Sequence, residues 1–244
     1  MWFLKMKEVY LEEVDSTNLY AKHHIDELED MTVVYTYKQT AGRGRLERKW
    51  NYMGDGNIYA SIVLKPSREL KEVYSNLTQY LCVVLAETFE NFGIIPQIKW
   101  PNDIRINYKK ISGILAEAVC DAKGLKGLII GFGVNLNCDK YTIEMINQPA
   151  TSLNLELGFE ISKEKFLKKL LEKFCLRYDE FIEKGFLLIR EEYIRRAEFL
   201  NQPVTVRVFD KEIQGIAKDI TDSGAIKLVD NNETEHTLLI GDIL

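Results

Sequence analysis

The sequence predicts a mixed α/β architecture of the α+β kind, closed by a small all-β unit. Three observations carry that reading. Strand-like runs stand in neighbouring pairs with short turns between them, two long stretches space their apolar residues as helices do, and past Asn201 the chain turns to short strands at close intervals. The 244 residues fit one large domain with an appendage, at about 150 residues per domain. The expected division is a domain of residues 1–200 and a β barrel of residues 201–244.

Along the chain, residues 9–14 alternate weakly and read as a strand. Asp15-Ser16-Thr17-Asn18 ahead of Leu19, Tyr20 and Ala21 is a capping pattern that opens a helix. Residues 32–37 are β-branched and aromatic, a strand. Residues 38–57 are polar, basic and broken by glycine. A loop of about 20 residues usually means function or disorder. Residues 58–64 form a buried-type strand. Residues 69–91 carry Val73, Leu77, Leu81, Val84, Leu85 and Phe89 at helical spacing and stop at Gly93. Four strands follow at 94–100, 104–107, 111–120 and 128–137, with connections short enough for antiparallel hairpins. Residues 162–184 make an amphipathic helix, with Phe166, Leu170, Phe174, Tyr178 and Phe181 on one side and Gly185 at its end. A second helix is expected over 186–199. Strands at 204–209, 212–219, 225–229 and 235–239, with turns at Asp222-Ser223-Gly224 and Asp230-Asn231-Asn232, make the small barrel.

Composition narrows the function classes. Apolar residues make up 46% and charged residues 28%, an ordinary globular balance. Lys plus Arg is 32 against 37 Asp plus Glu, a net charge of −5. That argues against a broad nucleic-acid surface, though not against a local basic patch. No apolar run approaches the roughly 20 residues of a membrane span, and residues 1–5 reach a charge too early for a secretory signal. Cys82, Cys120, Cys138 and Cys175 stand far apart, and three histidines form no metal motif. Neither a zinc site nor a disulfide framework is expected, and a reducing cytoplasm is the default.

Five segments could carry chemistry. Gln39-Thr40-Ala41-Gly42-Arg43-Gly44-Arg45-Leu46-Glu47-Arg48-Lys49-Trp50 concentrates cations in an acidic chain. Backbone N–H groups and guanidinium forks can converge there on an anion. A solvated basic turn is the plain alternative. A dinucleotide fold is excluded because no helix and no third glycine follow, and a Walker A loop because G-K-S/T is missing. Lys99-Trp100-Pro101-Asn102-Asp103 is a strand end, a proline turn and paired polar side chains, readable as a nucleotide contact or as an Asx turn. Lys110-Ile111-Ser112-Gly113 and Gly131-Phe132-Gly133-Val134-Asn135 put glycine inside strands, the mark of close approach by a ligand or backbone, or of a bulge. Ser16, Thr17 and Asn18 serve a helix cap or a ligand.

Each block is ambiguous alone, but their order is specific. S-T-N, then Q-T-x-G-R-G-R with R-K-W, K-W-P-N-D, K-x-x-G-I-L-x-E, G-x-G-x-N-x-N and P-A-T-S-L (residues 149–153) resemble the biotin protein ligases. Asn201-Gln202-Pro203-Val204, Gly215-Ile216-Ala217, Gly224-Ala225-Ile226 and Gly241-Asp242-Ile243 follow in the same order as in that family's C-terminal barrel. The resemblance covers essentially the whole chain. It implies a catalytic domain like that of class II aminoacyl-tRNA synthetases, with a mixed sheet flanked by helices, plus an SH3-like barrel.

The implied reaction has two steps. Biotin and ATP give biotinyl-5′-AMP and pyrophosphate, and a lysine of a biotin carboxyl carrier protein domain then takes the biotin. The resemblance makes Arg43, Arg45, Arg48 and Lys110 the catalytic cations. It makes Ser16, Thr17, Asn18, Gln39, Gly42, Arg43, Lys110, Gly113 and Gly133 the biotin contacts, and Arg45, Arg48, Trp50, Lys99, Asn102, Asp103 and Asn135 the ATP or adenylate contacts. No enzyme nucleophile is needed, because the substrate carboxylate attacks. Mg²⁺ is expected on the phosphates rather than in a protein cage. Some family members carry an N-terminal helix-turn-helix and repress transcription. Here S-T-N begins at residue 16, so the monofunctional form is expected, with neither DNA nor membrane as partner. A homodimer is an expectation from the family alone. Two rivals stand beside this reading: a lipoate-type ligase of the same superfamily, whose R-R-x-S-G-G-G loop is missing here, and a non-catalytic nucleotide- or RNA-binding module.

Overall fold

The structure, a computed structural model, describes residues 6–66 and 71–244. The opening residues 1–5 and the expected helix start at Glu69 lie outside them. The chain runs β1 (Lys7–Leu11), α1 (Thr17–His23), β2 (Thr32–Thr36), β3 (Gly42–Arg43), β4 (Lys49–Trp50), β5 (Ile58–Leu64) and α2 (Leu77–Glu90). It continues with β6 (Gln97–Lys99), β7 (Asp103–Ile106), β8 (Lys109–Asp121), β9 (Gly124–Val134), α3 (Lys140–Glu144), α4 (Leu153–Leu157), α5 (Lys163–Lys184) and α6 (Arg190–Arg196). The last strands are β10 (Pro203–Val208), β11 (Lys211–Ile220), β12 (Ile226–Val229), β13 (Glu235–Leu238) and β14 (Asp242–Ile243).

Seven strands form one sheet in the order β1-β2-β5-β9-β8-β7-β6. The β1–β2 pair is parallel and every other neighbour is antiparallel. Alternation along the strands explains its layering. Val33, Ile62 and Ile130 point into the main core, with α2 and α5. Val34, Val63 and Ile129, one residue on, point the other way under α1, with Ala21 and Ile25. The α5 stripe is as spaced: Phe166, Leu170, Phe174 and Phe181 are buried, each contributing about 1.5–3 kcal/mol. Ser162 caps that helix by accepting from the Lys165 N–H, and Gly185 leaves it at φ +65°. The Asn107-Tyr108 turn of the β7–β8 hairpin has both residues at positive φ, as a tight two-residue turn requires.

The structure differs from expectation at several places: the first strand is Lys7–Leu11 rather than 9–14, and the strand expected over 94–100 is only Gln97–Lys99. The first long helix opens as a 3₁₀ turn, Glu72–Asn76, and becomes α-helical only at Leu77. The expected helix over 186–199 is broken: a 3₁₀ turn at Gly185–Leu188 precedes α6, which ends at Arg196. It ends there because Ala197 bridges to Ile98 and the Glu198 N–H donates to the Ile98 carbonyl, tying the chain to β6. The short α3, α4, β3, β4 and β14 show no periodicity long enough to be read.

The C-terminal strands form an antiparallel sheet in the order β13-β12-β11-β10-β14, bent by a register shift at Ala217/Asp219. Its Val206, Ala217, Ile220, Ile226 and Leu228 belong to the same apolar cluster as Leu77, Trp100 and Tyr193. Polar contacts tie it further. Asn76 Nδ2 donates to Ser223 O (2.9 Å), Gln79 Nε2 to Gly224 O (2.8 Å) and Arg190 Nη2 to Asp219 Oδ1 (2.9 Å). Cys82 and Cys138 sit in apolar clusters as small hydrophobes. No helix among the described residues is long and apolar enough to cross a membrane.

Candidate active site

One cross-strand row organises the site. Thr36 pairs with Tyr59, Tyr59 with Gly133, Gly133 with Gly113, Gly113 with Asp103, and Asp103 with Lys99. Directly paired residues point to one face, so the row sets two glycines in mid-sheet with an anion and a cation beside them. The parallel row Val34, Ser61, Gly131 and Leu115 lies next to it. Pairing is regular through Gly131 and Gly133, so they mark close approach rather than a bulge. A Cβ on Gly131 would strike the Asn18 carboxamide, and one on Gly133 or Gly113 would strike the Trp50 indole.

At the α1 end the groove is lined by uncharged groups. Ser16 caps α1 through the Leu19 N–H. Gln39 Oε1 accepts from the Thr17 N–H (2.9 Å) and from Thr17 Oγ1 (3.3 Å). The Ser61 hydroxyl lies 2.8 Å from Thr17 Oγ1 and 2.6 Å from Asn18 Oδ1. Asn18 Nδ2 donates to Glu117 Oε2 (2.8 Å). Ser16, Thr17, Asn18 and Gln39 are all buried. This is a preorganised donor–acceptor set in a dry place, suited to a neutral polar ring system.

Across the groove the charge changes. β3 and β4 form a two-rung hairpin, Gly42 with Trp50 and Arg43 with Lys49, which carries the basic loop over the sheet. Among the described residues the three loop arginines and Lys110 each have a carboxylate partner, and Lys49 has none. Arg43 Nη1 lies 3.4 Å from Glu117, Arg45 Nη1 3.1 Å from Asp242, Arg48 Nη2 3.7 Å from Asp242, and Lys110 Nζ 2.8 Å from Asp103. Among the described residues Lys99 has no carboxylate in ion-pair range. Burial, with Arg105 nearby, lowers its pKa below that of an ordinary lysine. The Trp50 ring lies 5.3 Å below the Lys110 ammonium, and its buried Nε1–H has no partner. That indole fills much of the groove. The cleft volume of ≈ 150 Å³ is below the roughly 300 Å³ of an ordinary small-molecule pocket.

Of the residues predicted from sequence, Ser16, Thr17, Asn18, Gln39, Arg43, Arg45, Arg48, Trp50, Lys99, Asn102, Asp103, Lys110, Gly113 and Gly133 line this one cleft. Gly42 and Asn135 do not. Gly42 is packed against the Trp50 backbone and Gln39, and Asn135 Nδ2 donates to Thr151 O (3.0 Å). Asn102 Nδ2 donates to the Ile114 carbonyl (2.7 Å), so its amide clamps β8 at the cleft edge. Sequence reasoning missed Arg105, Gln148 and Asp242 in the lining. Arg105 and Gln148 belong to no motif. Asp242 stands in the Gly241-Asp242-Ile243 block, but nothing local shows that the last strand folds back over the large sheet.

The fold and cleft define a class: a mixed sheet whose glycine floor joins an uncharged polar pocket to a cluster of cations, as a protein that handles an acid and a phosphate would need. The chain belongs to the biotin/lipoate A/B protein ligase family, whose profile matches residues 10–135, and residues 199–244 match the biotin protein ligase C-terminal domain. Among its relatives is the biotin–[acetyl-CoA-carboxylase] ligase of Paracoccus denitrificans, 32% identical over 226 residues, 89% of this chain and 92% of that one. Another is the bifunctional ligase/repressor BirA of Bacillus subtilis, 32% identical over 214 residues, 87% of this chain. The match spans 65% of that relative's length. A solved structure of similar shape is the biotin protein ligase of Aquifex aeolicus in complex with biotin and ATP. It has a TM-score of 0.86 and 28% identity, covering 99% of this chain and 98% of that one.

Proposed function

We propose that this chain is an ATP-dependent biotin protein ligase. The observation that carries the reading is the Gly133–Gly113–Asp103–Lys99 row, with the loop cations above one end and the Ser16/Thr17/Gln39 set at the other. In the first step an oxygen of the biotin carboxylate attacks the α-phosphorus of ATP, the bond to the β-phosphate oxygen breaks, and pyrophosphate leaves. In the second, the amine of a carrier-domain lysine attacks the acyl carbon, loses a proton and releases AMP. Bringing a carboxylate to a triphosphate sets anion against anion, and converging cations remove that barrier.

Arg43, Arg45, Arg48 and Lys110 take the catalytic role, with Lys99 beside the phosphates. Ser16, Thr17, Gln39 and the Arg43 backbone serve the ureido ring, Asn18 is a further biotin contact, and Gly113 and Gly133 let biotin lie on the backbone. Trp50 leaves the groove to flank adenine, with Asn102 and Asp103 on the adenylate side. Loop closure excludes water from the mixed anhydride. The division at residue 200 makes the first part the catalytic domain and the second its appendage. Asp103 and Asp242 are both engaged by cations, which fits a Mg²⁺ carried in on the phosphates rather than held in a protein cage. That ion would neutralise phosphate charge. The acceptor is a biotin carboxyl carrier protein domain, the compartment the reducing cytoplasm, and the assembly a homodimer, checked by sedimentation.

The test is direct. Protein, ATP and Mg²⁺ should release pyrophosphate only when biotin is added, and no biotin-dependent release would end this reading. Calorimetry with biotin and lipoate separates the closest rival, and tighter lipoate binding would reverse the choice.

A further inference from the structure

We propose that Asp242 is a positioning residue for the adenylation step, set into the cleft by the C-terminal sheet to hold Arg45 and Arg48 over the reacting phosphates. The proposal rests on the ligase reading above. Asp242 stands on β14, whose rungs to β10 are Asp242 with Arg207 and Ile243 with Val206. Gly241 turns the chain into that strand at φ +140°, where a Cβ would lie 2.8 Å from Val206 Cγ1 and 2.9 Å from Arg207 O. Only glycine makes that turn without strain. The turn delivers a carboxylate from one sheet into a cleft floored by the other.

Asp242 is 5% exposed. A charge so buried must be compensated by its neighbours. The compensation comes from the basic loop: Oδ1 is 3.1 Å from Arg45 Nη1, while Oδ2, 3.7 Å from Arg48 Nη2, has no hydrogen-bond partner. The loop's other ties are at its base, where Arg43 meets Glu117, Gln39 accepts from Thr17 and the Ala41 N–H donates to Asp15 O. Its tip turns through Leu46 and Glu47 at positive φ, with Leu46 63% exposed. Its own backbone bonds, Gly44 N to Arg48 O and Arg48 N to Arg45 O, close the turn without fixing it to the sheet. Among the described residues Arg45 and Arg48 have no other ion pair. Asp242 draws in one terminal nitrogen of the Arg45 guanidinium as an ion pair, and a guanidinium has five donors in fixed geometry. The remaining donors are thereby oriented, ready for an incoming phosphate.

The experiment compares the intact wild-type chain with Asp242→Asn, Asp242→Glu, Arg45→Ala and the Asp242→Asn/Arg45→Ala double variant, in biotin-dependent pyrophosphate release and limited trypsin digestion. Trypsin cuts after Arg45 and Arg48 and so reads the tether without any substrate. Asp242→Asn should be cut faster in the loop and should show a KM for ATP raised by about tenfold or more. Asp242→Glu should recover part of both. In the Arg45→Ala background Asp242→Asn should add less than its full effect, because only the hold on Arg48 is left to lose. Wild-type ATP kinetics, wild-type loop cutting, or full additivity with Arg45→Ala would overturn the proposal. A wild-type chain that releases no biotin-dependent pyrophosphate overturns the ligase reading and this role with it. In that case faster cutting of Asp242→Asn would still locate the failure in the reaction and not in the tether.

Discussion

At the scale of single residues, the site is a set of cations already paired with internal carboxylates over a groove that two glycines keep open. On the proposed ligase reading, Arg45→Ala removes a charge-assisted contact with the reacting anions. It should cost about 2–4 kcal/mol in kcat/KM for pyrophosphate release, as lost transition-state donors do, and near-normal turnover would remove Arg45 from the mechanism. Gly133→Val tests the floor. Its side chain would enter the space the Trp50 indole now fills, so biotin affinity in calorimetry should fall by more than about tenfold, and unchanged affinity would place biotin elsewhere. Much of this was legible in the chain: the glycines, the cations and the S-T-N set are named by their motifs. The carboxylate partners were not, because Glu117, Asp103 and Asp242 come from different strands and no local pattern pairs them with Arg43, Lys110 and Arg45.

Elements hold these residues by caps and by buried ion pairs. Ser162→Ala removes the α5 N-cap and should lower stability by about 1 kcal/mol, read as a fall in Tm. The α2–α6 contact rests on Glu90 and Arg196, whose Nε and Nη2 lie 2.8 and 2.7 Å from the two carboxylate oxygens. Burial alone would raise the Glu90 pKa, but the hydrogen bonds and charge of Arg196 outweigh it, and the carboxyl titrates below its ordinary value of 4.5. A depressed acid stabilises the fold above its unfolded pKa and loses that contribution as pH falls through the folded value. The wild-type Tm should therefore drop on acidification below about pH 4.5 more steeply than that of Arg196→Met, and parallel acid limbs would show that the pair has no such effect. The long elements were readable because α5 repeats its aromatics over 22 residues and β5 is a largely apolar run buried along its whole length. The end of α6 at Arg196 was not, because it is set by pairing with Ile98, nearly a hundred positions away in sequence.

The whole molecule is joined by one apolar cluster that runs from the seven-stranded sheet into the C-terminal sheet. Gly224, at φ +81°, lets that sheet approach α2. A Cβ there would lie 2.5 Å from both Asn76 Nδ2 and Gln79 Oε1. Wild type should unfold in a single calorimetric transition, whereas Gly224→Val should lower Tm and split off an early one. An unchanged single transition in the variant would show that the Asn76 and Gln79 contacts do not couple the sheets.

The sequence by itself determined the family, the order of the long strands and helices, and the identity of nearly every polar group on the cleft wall. Those depend on patterns within a few residues: alternation, helical spacing, caps, and glycine where backbone must come close. Which carboxylate faces which cation, the seat of Trp50 on the glycine floor, and the return of an aspartate by the last strand to the basic loop come from the tertiary fold. Strand register sets such meetings, and register is fixed by the burial of both sheet faces at once, a property of the assembled molecule and of no single segment.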